Sequence, residues 1–139
     1  SSAASDVYKR QILKQRAEEV FKENLVDHLV ISAGSGVTSS PIIQAFSPGN
    51  DLFSNSQKQA HSITVSNVKT IYEKYKSHSI SSSAIEVYKT EFEFDDMMID
   101  YEIPFPCNGT WDRKAWWWLE NNIESLKGDI LFWNIGGNV

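Results

Sequence analysis

The chain has a single cysteine, Cys107, so no disulfide can close within it, and a reducing compartment, the cytoplasm, is the favoured setting. It has no apolar run of membrane-spanning length. Its 13 lysines and arginines are outnumbered by 18 acidic residues and cluster nowhere, which removes the usual electrostatic grip on nucleic acid or an anionic membrane. His28, His61 and His78 stand at no metal-ligand spacing, so neither a metal nor any other cofactor is expected. No GxSxG, GxxxxGK[ST] or six-residue GxGxxG occurs. These absences remove several enzyme classes and leave a small acidic domain.

Aromatic residues are what the chain has in abundance: five Trp, five Tyr and seven Phe, with four of the Trp between 111 and 118. The opening SSAASDVYKRQ has another origin. It back-translates, codon for codon, into a transposase adapter used to prepare sequencing libraries. Residues 1–11 are therefore read as adapter, and 12–139 as one domain truncated at its N-terminus. Leaving out Lys9, Arg10 and Asp6 removes two basic charges and one acidic charge, so the net charge moves from -5 to about -6.

Apolar spacing predicts helices near 12–24, 66–78 and 111–127. Ser66 is the expected N-cap of the second and Thr110 of the third. A buried strand is expected near 28–32 and a final strand near 129–134. The segment AIEVYKTEFEFDDMMIDYEIPF alternates so regularly that it predicts a hairpin, with strands near 84–94 and 97–104 turning at Asp95-Asp96. In that register Phe92 faces Ile99 and Tyr88 faces Ile103, on an apolar side. Glu91 faces Asp100 on the other side, with Glu93 on the diagonal. Residues 34–61 do not declare an element. The order of elements implies an α+β fold, a mostly antiparallel sheet with helices on one face.

Two functional readings follow. In the first, Trp117 points away from the apolar face of its helix and is an exposed contact residue. With Glu91, Glu93 and Asp100 it would form the surface of a protein- or ligand-binding module meeting a basic partner. In charge and size alone this is comparable to the immunity proteins that neutralise bacterial toxins. A binding module is favoured over an enzyme, and no oligomeric state is implied. The alternative rests on LVISAGSGVTSS, in which a strand runs into Gly34-Ser35-Gly36, a backbone loop suited to approaching phosphates. Over about ten residues this resembles the first strand and loop of the sirtuins, where a Gly-Ala-Gly turn meets NAD. The resemblance implies a fragment of a nucleotide- or NAD-binding enzyme. SSPIIQAF stands where that family continues Gly-Ile-Pro-x-Phe-Arg. Asn108-Gly109-Thr110 matches a glycosylation acceptor, and Cys107 is read as an ordinary loop cysteine.

Overall fold

A computed structural model describes residues 2–34, 36–46, 61–67, 70–78, 80, 85–93 and 95–135. The elements in chain order are α1 (Ser2–Glu23), β1 (His28–Ser32), α2 (Ser39–Phe46), β2 (His61–Val65), α3 (Ile71–Ser77), β3 (Ile85–Tyr88), α4 (Asp112–Asn122) and β4 (Ile130–Trp133). A 3₁₀ turn, Ile123–Ser125, follows α4. The four strands form one sheet in the order β3-β2-β1-β4, and every pairing is parallel.

The fold is therefore α/β, and the expected antiparallel sheet is overturned. Strand β1 shows why. Leu29, Val30, Ile31 and Ser32 are all buried, so the strand is covered on both faces, as a central parallel strand must be. Leu29 and Ile31 face a core built with α1, α2 and α3, where Ala17, Ile42, Ile43, Ile71 and Tyr75 are buried. Val30 joins Ile63 and Val65 on the opposite face, under Ala115, Trp118 and Leu119 of α4. The helices thus lie on both faces, not on one.

Topology accounts for the division. From β1 through β2 to β3 the chain moves one way across the sheet, and its crossovers carry α2 and α3. From β3 it returns past β1 to β4 through α4. Right-handed crossovers running in opposite directions must put their helices on opposite faces.

The predicted hairpin does not form. Only Ile85–Tyr88 is a strand, and it pairs in parallel with β2, Ser62 to Ile85 and Val65 to Tyr88. Residues 95–111 contain no strand, and Phe94 lies outside the described residues. Polar backbone in this excursion is satisfied by side chains of α4 instead. Arg113 Nη1 donates to the carbonyls of Met98 at 2.9 Å, Ile99 at 2.9 Å and Tyr101 at 3.0 Å. Lys114 Nζ donates to the Glu93 carbonyl at 2.6 Å. Charge-assisted bonds of this kind are the stronger ones, so two cations replace a ladder.

Other expectations shift as well. Ser66 caps no helix; its N–H donates to the Tyr88 carbonyl at 2.9 Å and extends the β2–β3 ladder. The first turn of α4 is capped by Asn108, not Thr110: Asn108 Oδ1 accepts from the N–H groups of Thr110 and Trp111, each at 2.8 Å. Asn108 is 9% exposed, so the glycosylation pattern is not presented to solvent. Helix α2 and strand β2 occupy part of the stretch in which no element was expected. Pro41 is accommodated within the first turn of α2, where backbone N–H groups have no partner inside the helix.

Candidate functional site

In open parallel sheets, ligands sit outside the carboxyl ends of the strands, because the loops there face one way and vary freely. A cavity opens at that edge in this chain. Its floor is made by the ends of β1 and β2, Ser32, Ala33, Val65 and Ser66. Asn67 and Thr90 form one wall, and Thr110, Trp111 and Lys114, from the start of α4, form the other. Its volume is about 20 Å³, room for one water molecule.

The polar groups of the floor are held firmly. Ser32 Oγ donates to Asp112 Oδ1 at 2.8 Å, a buried bond tying the end of β1 to the start of α4. Asp112 is 1% exposed and lies in the first turn of its helix, where the macrodipole favours a carboxylate. Asn67 Oδ1 accepts from the Thr90 N–H at 2.9 Å, and its Nδ2 donates to Thr90 Oγ1 at 3.1 Å and to the Phe92 carbonyl. This amide therefore joins the ends of β2 and β3.

Lys114 is the cationic side chain that lines the cavity. It is 6% exposed, and burial pushes its pKa below the ordinary lysine value, against the carboxylates of Asp96, Asp95 and Glu93, which raise it. A buried amine whose ammonium is disfavoured is a more available nucleophile and proton carrier than a surface lysine. Cys107, also buried, is the opposite case. Desolvation, with the Asp112 carboxylate adding to it and Arg113 opposing, pushes its thiol up to about 12. It is an inert structural cysteine.

The residues singled out from sequence are scattered relative to this cavity. Gly34 backs its Trp111 wall: a Cβ built there would come 3.0 Å from Cζ3 of Trp111, so glycine lets the indole lie directly on the backbone after β1. Gly36 has φ +84°, and its carbonyl accepts from Ser40 Oγ at 2.5 Å. Ser35 lies outside the described residues. The first turn of α2, which follows this loop, is occupied by the protein itself: Ser39 Oγ and Tyr75 Oη are 3.0 Å apart, and Thr64 Oγ1 lies 3.1 Å from the same phenol.

Trp117 is not the exposed residue of its helix. It is half-buried, and Phe92 packs edge-on against it at 5.0 Å. Trp111 is the more exposed indole, at 36%. Glu91, Glu93 and Asp100 are exposed, but with the hairpin absent Glu91 and Asp100 do not face one another across strands. Among the described residues no group of three His, Cys, Asp or Glu is placed to hold a metal. No described helix is long and apolar enough to cross a membrane.

Lys114 and Trp111 were missed because the tryptophan helix was read only for its apolar face. A lysine within a run of Trp, one turn from an N-cap, was the available signal.

The chain is 32% identical over 113 residues to the "Glycyl-dTMP PLP-dependent decarboxylase" of Pseudomonas phage M6. The match takes in 78% of this chain and 40% of that protein, so the chain spans less than half the length of its relative. No family model matches, and no solved structure matches.

Proposed function

We propose that this chain is part of a pyridoxal-phosphate-dependent enzyme that decarboxylates an amino-acid-bearing thymidine nucleotide, with its site at the carboxyl edge of the sheet. The observation that carries the reading is a buried lysine of lowered pKa lining a cavity at that edge. The phage relative supplies the reaction class.

The donor set suits this cofactor, and the cavity, open to only about 20 Å³, would have to widen to admit it. Lys114 offers the amine that would hold it. The hydroxyls of Ser66, Thr90 and Thr110 offer neutral partners for its phosphate, and Trp111 offers a flat apolar surface for its ring. When bound, pyridoxal phosphate supplies an electron sink for the carbanion left as carbon dioxide departs. The rest falls to the chain. Lys114 Nζ would exchange its bond to the Glu93 carbonyl for the ligand, and burial, which lowers its proton affinity, makes it a readier proton carrier than a surface lysine. Asp112, through Ser32, fixes the end of β1 beneath it. Of the Gly34-Ser35-Gly36 loop, Gly34 backs the Trp111 wall of the cavity, whereas Gly36 packs toward Ile71, Lys74 and Tyr75, so the nucleotide-binding alternative drawn from that loop touches this site only through Gly34. The binding-module reading keeps the exposed Glu91, Glu93 and Asp100, but its aromatic anchor, Trp117, is covered by Phe92.

The test is borohydride reduction of the purified protein after incubation with pyridoxal phosphate, followed by peptide mass mapping. A single reduced pyridoxyl adduct on Lys114, lost in Lys114→Ala, is expected. Labelling spread over surface lysines, or unchanged in Lys114→Ala, would refute the assignment. Carbon dioxide release from glycyl-dTMP then tests the reaction itself.

A further inference from the structure

After β3 the chain leaves its ladder. The last rung is the bond from the Ser66 N–H to the Tyr88 carbonyl, and the side chain that follows Ser66 takes over. Asn67 Oδ1 accepts from the Thr90 N–H at 2.9 Å, and its Nδ2 donates to Thr90 Oγ1 at 3.1 Å and to the Phe92 carbonyl. A carboxamide carries both an acceptor and donors, and here both kinds hold one strap of backbone, residues 90–93. Within the strap the Phe92 N–H donates to Thr90 Oγ1 at 3.3 Å, and the Phe92 ring rests edge-on against Trp117 at 5.0 Å.

The far end of the strap lies on Lys114. The Glu93 carbonyl accepts from Nζ at 2.6 Å and from the Asp96 N–H at 3.2 Å, while Asp96 Oδ2 accepts from the Glu93 N–H at 2.8 Å. Lys114 is 6% exposed, with its amine against this carbonyl. Asn67 and Lys114 both line the cavity, so two of the cavity's own polar side chains fasten the strap. A ligand that bonds to Nζ competes with the Glu93 carbonyl for it, and the cavity of about 20 Å³ grows only when a wall moves.

We propose that Asn67 is a positioning residue for Lys114. By holding Thr90 and Phe92 it keeps the Glu93 carbonyl on the amine. Its release lets residues 90–93 swing away, which uncovers the amine and widens the cavity in one movement. Access to Lys114 is therefore set by the opening of this strap, through a residue that does no chemistry itself. This rests on the reading of Lys114 as the working amine, not on the identity of the cofactor.

The experiment is reductive methylation with formaldehyde and cyanoborohydride, which adds methyl groups to accessible lysine amines, followed lysine by lysine through peptide mass mapping. The reagent is small and needs no cofactor site. In Asn67→Ala the strap loses three hydrogen bonds, and methylation of Lys114 is expected to quicken by about tenfold. The exposed Lys14 and Lys22 of α1 keep their rates. Thr90→Val removes only the Oγ1 acceptor and gives a smaller rise. Arg113→Met frees the carbonyls of Met98, Ile99 and Tyr101 instead and leaves the Lys114 rate unchanged, which separates positioning by Asn67 from general loosening. Circular dichroism verifies that each variant is folded, and Thr90→Val decides the matter if Asn67→Ala is not. A Lys114 rate that is unchanged or slower in the folded variants of Asn67 and Thr90 would overturn the proposal, as would an equal rise in Arg113→Met. If pyridoxal phosphate labels Lys114 while methylation ignores Asn67, the proposed function stands without the strap. If the cofactor labels no lysine while methylation follows the expected pattern, the strap stands and the cofactor assignment falls.

Discussion

Two parts of this molecule reach order by different means. The sheet and the helices α1 to α3 are held by a parallel ladder and a continuous apolar core, in which Leu29, Ile31, Ile42 and Ile71 are each no more than 1% exposed. The excursion from Lys89 to Trp111 has neither ladder nor core of its own. Its carbonyls converge on the Arg113 and Lys114 side chains, and its aromatics, Phe92 and Phe105, lean on Trp117 and Trp116 at 5.0 Å each. A ladder spreads its stability over many backbone bonds, whereas this excursion relies on a few side chains, chiefly Arg113 and Lys114 of α4 and Asn67 after β2. The site thus has a rigid floor and a separately secured roof.

Asp112 joins the two parts, and its loss should have the largest effect. Asp112→Ala leaves the buried Ser32 hydroxyl without its acceptor and removes the carboxylate from the start of α4, costing about 3 kcal/mol. Asp112→Asn keeps an acceptor and should cost clearly less in urea denaturation. Equal losses for the two variants would show that the hydrogen bond to Ser32 is not what matters.

Arg113→Met should cost about 2 kcal/mol, and its effect should be local. Hydrogen exchange would show the amides of Met98 and Tyr101 losing protection, while those of β1 and β2 stay protected. Loss of protection in the sheet as well would erase the distinction between the two regions. The matching change on the other side, Tyr75→Phe, removes the phenol shared by Ser39 and Thr64, at a cost of about 1 kcal/mol. It should leave exchange in the excursion unchanged.

Several elements were legible from residues alone. The run HLVIS declares a buried strand and ILFW a final one; 28–32 coincides with β1, and ILFW forms β4, which is half-buried. The Trp-rich helix was expected near 111–127 and runs over Asp112–Asn122, continued by the 3₁₀ turn to Ser125. The error lay in the segment with the clearest pattern. Alternation from Ala84 to Phe105 fits a hairpin, but alternation records only which side chains are apolar. It does not record which backbone satisfies the carbonyls between them. Here β3 finds β2, and the rest finds Arg113 and Lys114, partners 12 to 21 residues further along the chain. Strand β2 was missed because HSITV is short and lies beside a polar stretch. Its burial comes wholly from β1, β3 and the helices on either side.

Composition and local pattern determined the charge balance, the strands at 28–32 and 130–133 and the wealth of aromatic side chains. Only the tertiary structure decided the direction of the strands, the faces on which the helices pack and the meeting of Gly34, Trp111 and Lys114 at one carboxyl edge. Local patterns report periodicity and burial. Strand direction and site assembly depend on crossovers, which bring together residues about 80 positions apart.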